Sequence, residues 1–435
     1  MATPMVKRIG TGLWQLAAAV YSSRVGMLAL VDQALVSGTN FATAIMVGRY
    51  SSESQLGDYQ NAFSALVMLG VLQASTVLVP YTVYSSRMHG SERRYYSGSV
   101  FVHHALLSIL AAAMLASLAA VIRLSHLGLG NTLYCLAAIT PLVLLREFSR
   151  RFEFASMNFR SAIFVDGGVG LIQILILLFF GLQGQLTAAM AVGICGAANG
   201  LVGVVWLVRN YGEFRFQGKM IAAHFWKNFS FAKWGAAGHL TGTLRQASMP
   251  WIITSTLGSH ATGIYAACLT VNLLANPMIL GIGNILTPLT ARSYASGGHA
   301  KLRRVVFQVF ALLAVGLGLF VLSVFFWGES VVALAYNRPE YAGQGLTIAT
   351  LALAITATAL GHPFSEGLRS LERPEVYFFS ALTGVAIGAP CSFFLAWRFG
   401  VAGASAGFLI GNAVATTFLI ACFLYQSHFD RETKG

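Results

Sequence analysis

"LVPYTVYSSRMHG" occupies residues 78–90, and "LTPLTARSYASGG" occupies residues 286–298. Each reads P-x-T-x-x-S, with a Gly ten residues after the Pro and an Arg pair beyond it. Pro80 and Pro288 stand 208 residues apart in a chain of 435, so each half carries one copy. Other correspondences follow in the same order. "GDY" at 57–59 pairs with "GIY" at 263–265, and Pro141 with Arg146 and Arg150 pairs with Pro363, Arg369 and Arg373. Gly196 and Gly200 answer to Gly403, Gly407 and Gly411. Four matches in register indicate a parallel internal repeat, whose halves are related by a pseudo-twofold axis along a membrane normal.

Composition supplies the membrane. The chain is 56% hydrophobic and 10% charged, with a mean hydropathy of +0.68. Soluble domains carry about 25% charged residues. The apolar residues fall in runs of about 20, the length of a helix that crosses a bilayer. No series of alternating ten-residue strands appears, which argues against an outer-membrane barrel.

Twelve spans are predicted, at 26–48, 62–86, 98–122, 131–149, 162–182, 186–208, 235–257, 264–292, 304–327, 345–367, 376–397 and 401–425. An even number places both termini on one side, and lysines and arginines choose that side. Loops on the terminal side hold 23 of the 28, while the opposite loops hold Arg49, Arg123, Arg338 and Arg398. Both termini are therefore expected in the cytoplasm. The net charge of +13 then belongs to a rim facing anionic headgroups, and no nucleic acid is needed to explain it.

The predicted organisation is a cytoplasmic segment 1–25 with a short interfacial helix, a first lobe 26–208, a cytoplasmic linker 209–234, a second lobe 235–425 and a tail 426–435. The linker is basic and aromatic, and its spacing fits either an amphipathic helix on the inner leaflet or a plain connection. The five cysteines lie singly in apolar runs without C-x-x-C spacing, so neither a disulfide framework nor a zinc site is expected.

Each of the two repeated prolines would remove a backbone donor and free the carbonyl four residues before it. Neighbouring Thr and Ser hydroxyls can re-satisfy such groups in lipid. Pro80 and Pro288 are thus predicted kinks, and candidate hinges, at equivalent places.

"VGRYSSESQLGDYQNAFSAL" (47–66) resembles the phrase that joins the first two helices in the polysaccharide-transport group of the MOP flippase superfamily. "LGSHATGIYAACL" (257–269) echoes it, without a counterpart to Arg49. The resemblance implies an all-α membrane fold of about twelve helices, in two pseudo-twofold-related six-helix lobes around a central cavity. It further implies a Wzx-type flippase of the bacterial inner membrane, moving a polyprenyl-diphosphate-linked oligosaccharide by alternating access. The implied partners are that lipid, the surrounding membrane, and polysaccharide polymerase or export machinery.

Ionisable residues at membrane depth are candidate sites. Arg245 lies about ten residues into the seventh span, where its guanidinium could grip a diphosphate in two places or pair with a carboxylate. Thr241, Arg245 and Ser248 share a face by i, i+4, i+7 spacing, and His239 follows the same logic. Arg24 and Arg49 bracket the first span, as headgroup contacts or as interfacial anchors. Asp32, aligned with Thr39 and Thr43, would bind a coupling proton or Na⁺, or pair with Arg24 or Arg245. Asp166 and Glu366, near cytoplasmic helix ends, are further coupling candidates or salt-bridge partners.

Other patterns fail. "GASAG" (403–407) matches G-x-S-x-G but lies in an apolar span rather than at a strand-to-helix turn. His103 and His104 are adjacent and point about 100° apart. No Walker loop appears, so direct use of ATP is not expected. Two alternatives to the flippase remain: a cation-coupled multidrug exporter of the same superfamily, which should have a more acidic cavity, and a membrane polymerase. The latter needs a sizeable outer loop, and the largest candidate, 328–344, carries only Glu329 and Glu340 as carboxylates.

Overall fold

A computed structural model describes residues 24–429. The expected interfacial helix in 1–23 and the end of the tail lie outside the described residues. The first half contains α1 (Arg24–Tyr50), α2 (Glu53–Gln73, continued through Ala74–Leu78 and Val79–Ser85), α3 (Gly90–Arg123), α4 (Leu127–Ala155), α5 (Phe159–Leu182) and α6 (Ala188–Asn210). The second half contains α7 (218–257), α8 (259–296), α9 (299–336), α10 (Gly345–Ser370), α11 (375–399) and α12 (401–429). No strand occurs among the described residues.

Polar side chains start several helices. Ser52, Asn158 and Thr187 each accept a backbone N–H at the head of α2, α5 and α6, satisfying donors that the helix itself cannot. In the second half, glycines do the turning. Gly258, Gly298 and Gly400 have φ of 87°, 56° and 62°. That left-handed backbone is open to glycine at little cost, and it lets α7 meet α8, α8 meet α9, and α11 meet α12 with almost no loop.

The two repeated prolines behave differently. Ahead of Pro80, residues Ala74–Leu78 form a π-helical turn, a wide turn that redirects a helix and often marks a functional position. Thr76 and Thr82 donate to the carbonyls of Leu72 and Leu78 across it. Pro288 instead sits among helical torsions. The irregularity of α8 lies earlier, in the 3₁₀ turn Leu273–Ala275 just before Pro277.

The stretch 209–234 is only partly a linker. A 3₁₀ turn, Tyr211–Glu213, ends α6, and the Arg215 N–H donates to the Arg94 carbonyl at 3.0 Å. From Gly218 onward the chain is already α7. This arm is pinned to α3: the Tyr96 hydroxyl donates to Asn228 Oδ1 (2.8 Å), His103 Nε2 bonds the Ile221 carbonyl (2.9 Å), and His224 meets Ser99 (2.9 Å). Phe225, Trp226, Phe229 and Phe231 stay exposed, as suits rings at a lipid surface.

Four buried clusters describe the shape. One is shared by both halves and includes Val47, Leu56 and Tyr59 together with Ile253, Tyr265, Tyr336 and Tyr341. A second, built around Tyr81, Tyr96, Phe148, Phe152 and Trp206, belongs to the first half and its arm. A third, around Leu302, Val306, Phe364 and Phe423, and a fourth, around Ala275, Leu286, Val309 and Leu313, belong to the second half alone. The shared core adjoins the arginine-poor loops. The separate cores adjoin the arginine-rich ones, so the halves join at one end and part at the other.

Candidate functional site

Three connected cavities occupy the space where the halves part. The central one, about 500 Å³, lies between α1, α2, α7 and α8, with Asn40, Phe41, Gln60, Phe63, Gln246 and Asn276 in its wall. A cavity of about 350 Å³ runs into the first half past Asn40 and Tyr59 to Arg146, Glu147 and Asp166. Another, of about 310 Å³, runs into the second half past Gln246 and Asn276 to Arg245, His362, Tyr377 and Asn412.

The first-half cavity ends in an ion network. Arg150 holds Asp32 at 2.6 Å and Asp166 at 2.8 Å, while Arg146 holds Asp166 at 2.5 Å. Glu147 lies 3.2–3.5 Å from Arg146, Arg150 and Arg151. Three arginines meet three carboxylates, so the network is neutral as a whole. Asp32 therefore pairs with Arg150 and not with Arg245, one of the two partners considered for it. Arg245 is in the other half, and the side chain of Arg24 lies outside the described residues. Thr39 and Thr43 bond the carbonyls of Leu35 and Thr39, and Gln173 donates to the Thr43 hydroxyl at 2.8 Å.

The second-half cavity is charged differently. Arg245 is half-buried in its wall and has no carboxylate partner among the described residues. His239 and His362 line the same space. Gly242 lets the Tyr377 ring approach α7, because a Cβ there would crowd the tyrosine oxygen. The cavity wall takes His239, Gly242, Thr243, Arg245 and Gln246 from α7, which corrects the polar stripe expected there. Thr241 donates to the Ala237 carbonyl at 2.8 Å and Ser248 to that of Arg245 at 3.3 Å, and neither lines the three cavities. Two stripes pass through Arg245 on a helix, and the packing of Tyr377 selects the other one.

Two further candidates lie elsewhere. Glu366 accepts from the Thr287 hydroxyl at 2.9 Å and pairs with Arg369 at 3.1 Å, one turn beyond His362. Arg49 is at the joined end, where its carbonyl accepts from Arg338 Nε at 3.2 Å, and it lines none of the three cavities. Sequence reasoning passed over Arg150 as a partner of Asp32, although it had marked Arg146 and Arg150 as a feature of the repeat. It also passed over Gln60, Gln246, Asn276, His362 and Tyr377, which carry no motif.

The joined end closes the cavities on one side. Among the described residues, the side-chain hydrogen bonds and ion pairs linking 24–210 to 235–429 fall between 48–64 and 251–341. Ser259 donates to Asp58 (2.6 Å), Asn61 to Thr254 (2.6 Å) and Trp251 to Ser64 (2.9 Å). Arg338 faces Glu53 at 3.5 Å. At the centre, Gly57 lies against the Ser259 carbonyl and Gly263 against that of Glu53, each so close that a Cβ would overlap it. The contact is reciprocal at a constant offset of 206, which places the repeat axis through it.

No family model matches the chain, and no curated protein matches it by sequence. Solved structures do match in fold. An inward-facing multidrug resistance MATE family transporter of the MOP superfamily superposes with a TM-score of 0.75 at 16% identity, covering 93% of this chain and 96% of its own. An outward-facing MATE transporter gives 0.63 at 13% identity, over 96% and 97%. A MOP superfamily transporter from Pyrococcus furiosus, described as having a binding pocket of reverse polarity that suggests a different function, gives 0.63 at 14%, over 94% and 97%. The fold is thus MATE-like and all-helical, as expected. None of the three is described as a polysaccharide flippase.

Proposed function

We propose that this chain is an alternating-access transporter of a bacterial inner membrane that moves a polyprenyl-diphosphate-linked oligosaccharide outward, for assembly of a surface polysaccharide. The observation that carries this reading is Arg245. A guanidinium at membrane depth is costly unless water, a counter-charge or a ligand reaches it. Here no carboxylate answers it among the described residues, and it faces a cavity. An anionic group entering from the arginine-rich side would meet a fixed two-pronged donor.

With both termini in the cytoplasm, the joined end is external and the cavities face inward. The better superposition on the inward-facing MATE structure supports that state. The diphosphate would settle at Arg245 while the polyprenyl chain stays in lipid between the halves. Substrate shifts the equilibrium between facing states only through contacts that differ between them. A coupling proton or Na⁺ at Asp32 or Asp166 would have to compete with Arg150, whereas Glu366 would have to leave Arg369. The reading calls for no ATP, no nucleic acid and no other cofactor. Polymerase or export machinery would take the product outside.

The test is lipid analysis of cells lacking the protein. Accumulated lipid-linked repeat units supports the reading. Unchanged lipids together with new drug sensitivity would favour the multidrug exporter, a second reading that rests on the described neighbours and on the aromatic wall of Phe41, Tyr59 and Phe63.

A further inference from the structure

The central cavity has a wall unlike those on either side of it. Among the described residues it carries no carboxylate, amine, guanidinium or imidazole. Instead, four helices each contribute one carboxamide: Asn40 from α1, Gln60 from α2, Gln246 from α7 and Asn276 from α8. Amides used for packing in this protein are hydrogen-bonded. Asn61 bonds Thr254, Gln73 the Leu144 carbonyl, and Asn412 the Ala354 carbonyl. The four cavity amides make no side-chain hydrogen bond to another described residue. Each offers two donors and a carbonyl acceptor to whatever occupies the space, and Phe41 and Phe63 stand beside them.

We infer that these four carboxamides form a sugar-reading subsite, which selects the glycan carried by the transported lipid. This rests on the flippase reading above. A neutral ring of donors and acceptors suits paired hydroxyls, each of which both gives and accepts a hydrogen bond, while the phenyl rings suit the C–H face of a pyranose. A cationic drug would find no counter-charge in this wall. Gln246 borders both this cavity and that of Arg245, so a diphosphate gripped at Arg245 presents its first sugar to the amides. A site built to bond hydroxyls discriminates strongly against analogues that lack them. The subsite therefore governs which glycan is carried, and Arg245 governs whether an anionic lipid is held at all.

The experiment measures binding to the purified full-length protein of two probes: a polyprenyl diphosphate without sugar, and the same lipid bearing one N-acetylhexosamine. The wild type should prefer the sugar-bearing lipid. Gln60→Leu and Gln246→Leu, close in size to the originals, should each reduce that preference roughly two- to tenfold and leave affinity for the bare diphosphate unchanged. Arg245→Ala should weaken both probes alike. Retention of the full preference in both leucine variants overturns the subsite. A wild type that binds the two lipids equally also overturns it, while leaving the flippase reading in place. Failure of the wild type to bind either lipid removes both.

Discussion

Arg150 and Arg245 show how differently one residue type can be used in the same membrane protein. Arg150 is buried between two carboxylates, and such a cluster is destabilising to break because the remaining charges cannot return to water. Arg150→Met should cost about 3–5 kcal/mol, seen as a lower unfolding temperature of the purified protein. The triple change Arg150→Met, Asp32→Asn and Asp166→Asn should recover much of the loss. If Arg150→Met unfolds like the wild type, the cluster is not holding α1, α4 and α5 together. At this scale the sequence was partly legible. Burial of a charged residue follows from its place in an apolar run, so Asp32, Asp166 and Arg245 stood out. Their partners did not, because Arg150 lies 118 residues from Asp32, and only tertiary packing brings α4 beside α1.

Among the elements, the crossing of α2 and α8 is the most constrained contact. Gly57 and Gly263 each lie against a carbonyl of the other helix, so the joined end closes only if both remain glycine. Gly57→Ala or Gly263→Ala overpacks that crossing, which costs about 1–3 kcal/mol against the state described here. The expected outcome is greater labelling of a cysteine placed at Asn61 by a membrane-impermeant thiol reagent from outside. Unchanged labelling would mean that the glycines are not the closure. The prolines make a separate test. Pro80→Ala with Pro288→Ala should slow transport at normal abundance, and most of the effect should come from Pro80, whose turn is π-helical. Equal effects from the two single changes would contradict that asymmetry. The "GDY" and "GIY" correspondence pointed to equivalent positions but not to their mutual contact, since a repeat fixes register and not which face of each helix meets the other.

Over the whole molecule, two halves share one core at one end and keep separate cores at the other. For the alternating access proposed above, parting the shared end is the economical route, because it leaves the cores private to each half intact. Tying that end should stop transport. Asp58→Cys with Ser259→Cys, whose side chains touch in this state, should form a disulfide that abolishes export, and a reductant should restore it. Export through the oxidised pair would show that the ends need not part. Much of this architecture was legible in the sequence, because hydrophobic run length reports on the bilayer, which acts on every helix alike, and the doubled phrase reports on the two halves. The chamber was far less legible. Its amides have ordinary composition, and their common direction is set by how α1, α2, α7 and α8 are rotated.

The most direct measurement is translocation in sealed vesicles containing the purified protein and a polyprenyl-diphosphate glycan, read as the fraction of glycan reaching the opposite leaflet. The wild type should move it, Arg245→Lys should move it more slowly, and Arg245→Ala should not rise above protein-free vesicles. Transport by Arg245→Ala at the wild-type rate would contradict the account, because the charge facing the chamber would then have no part in carrying the anion.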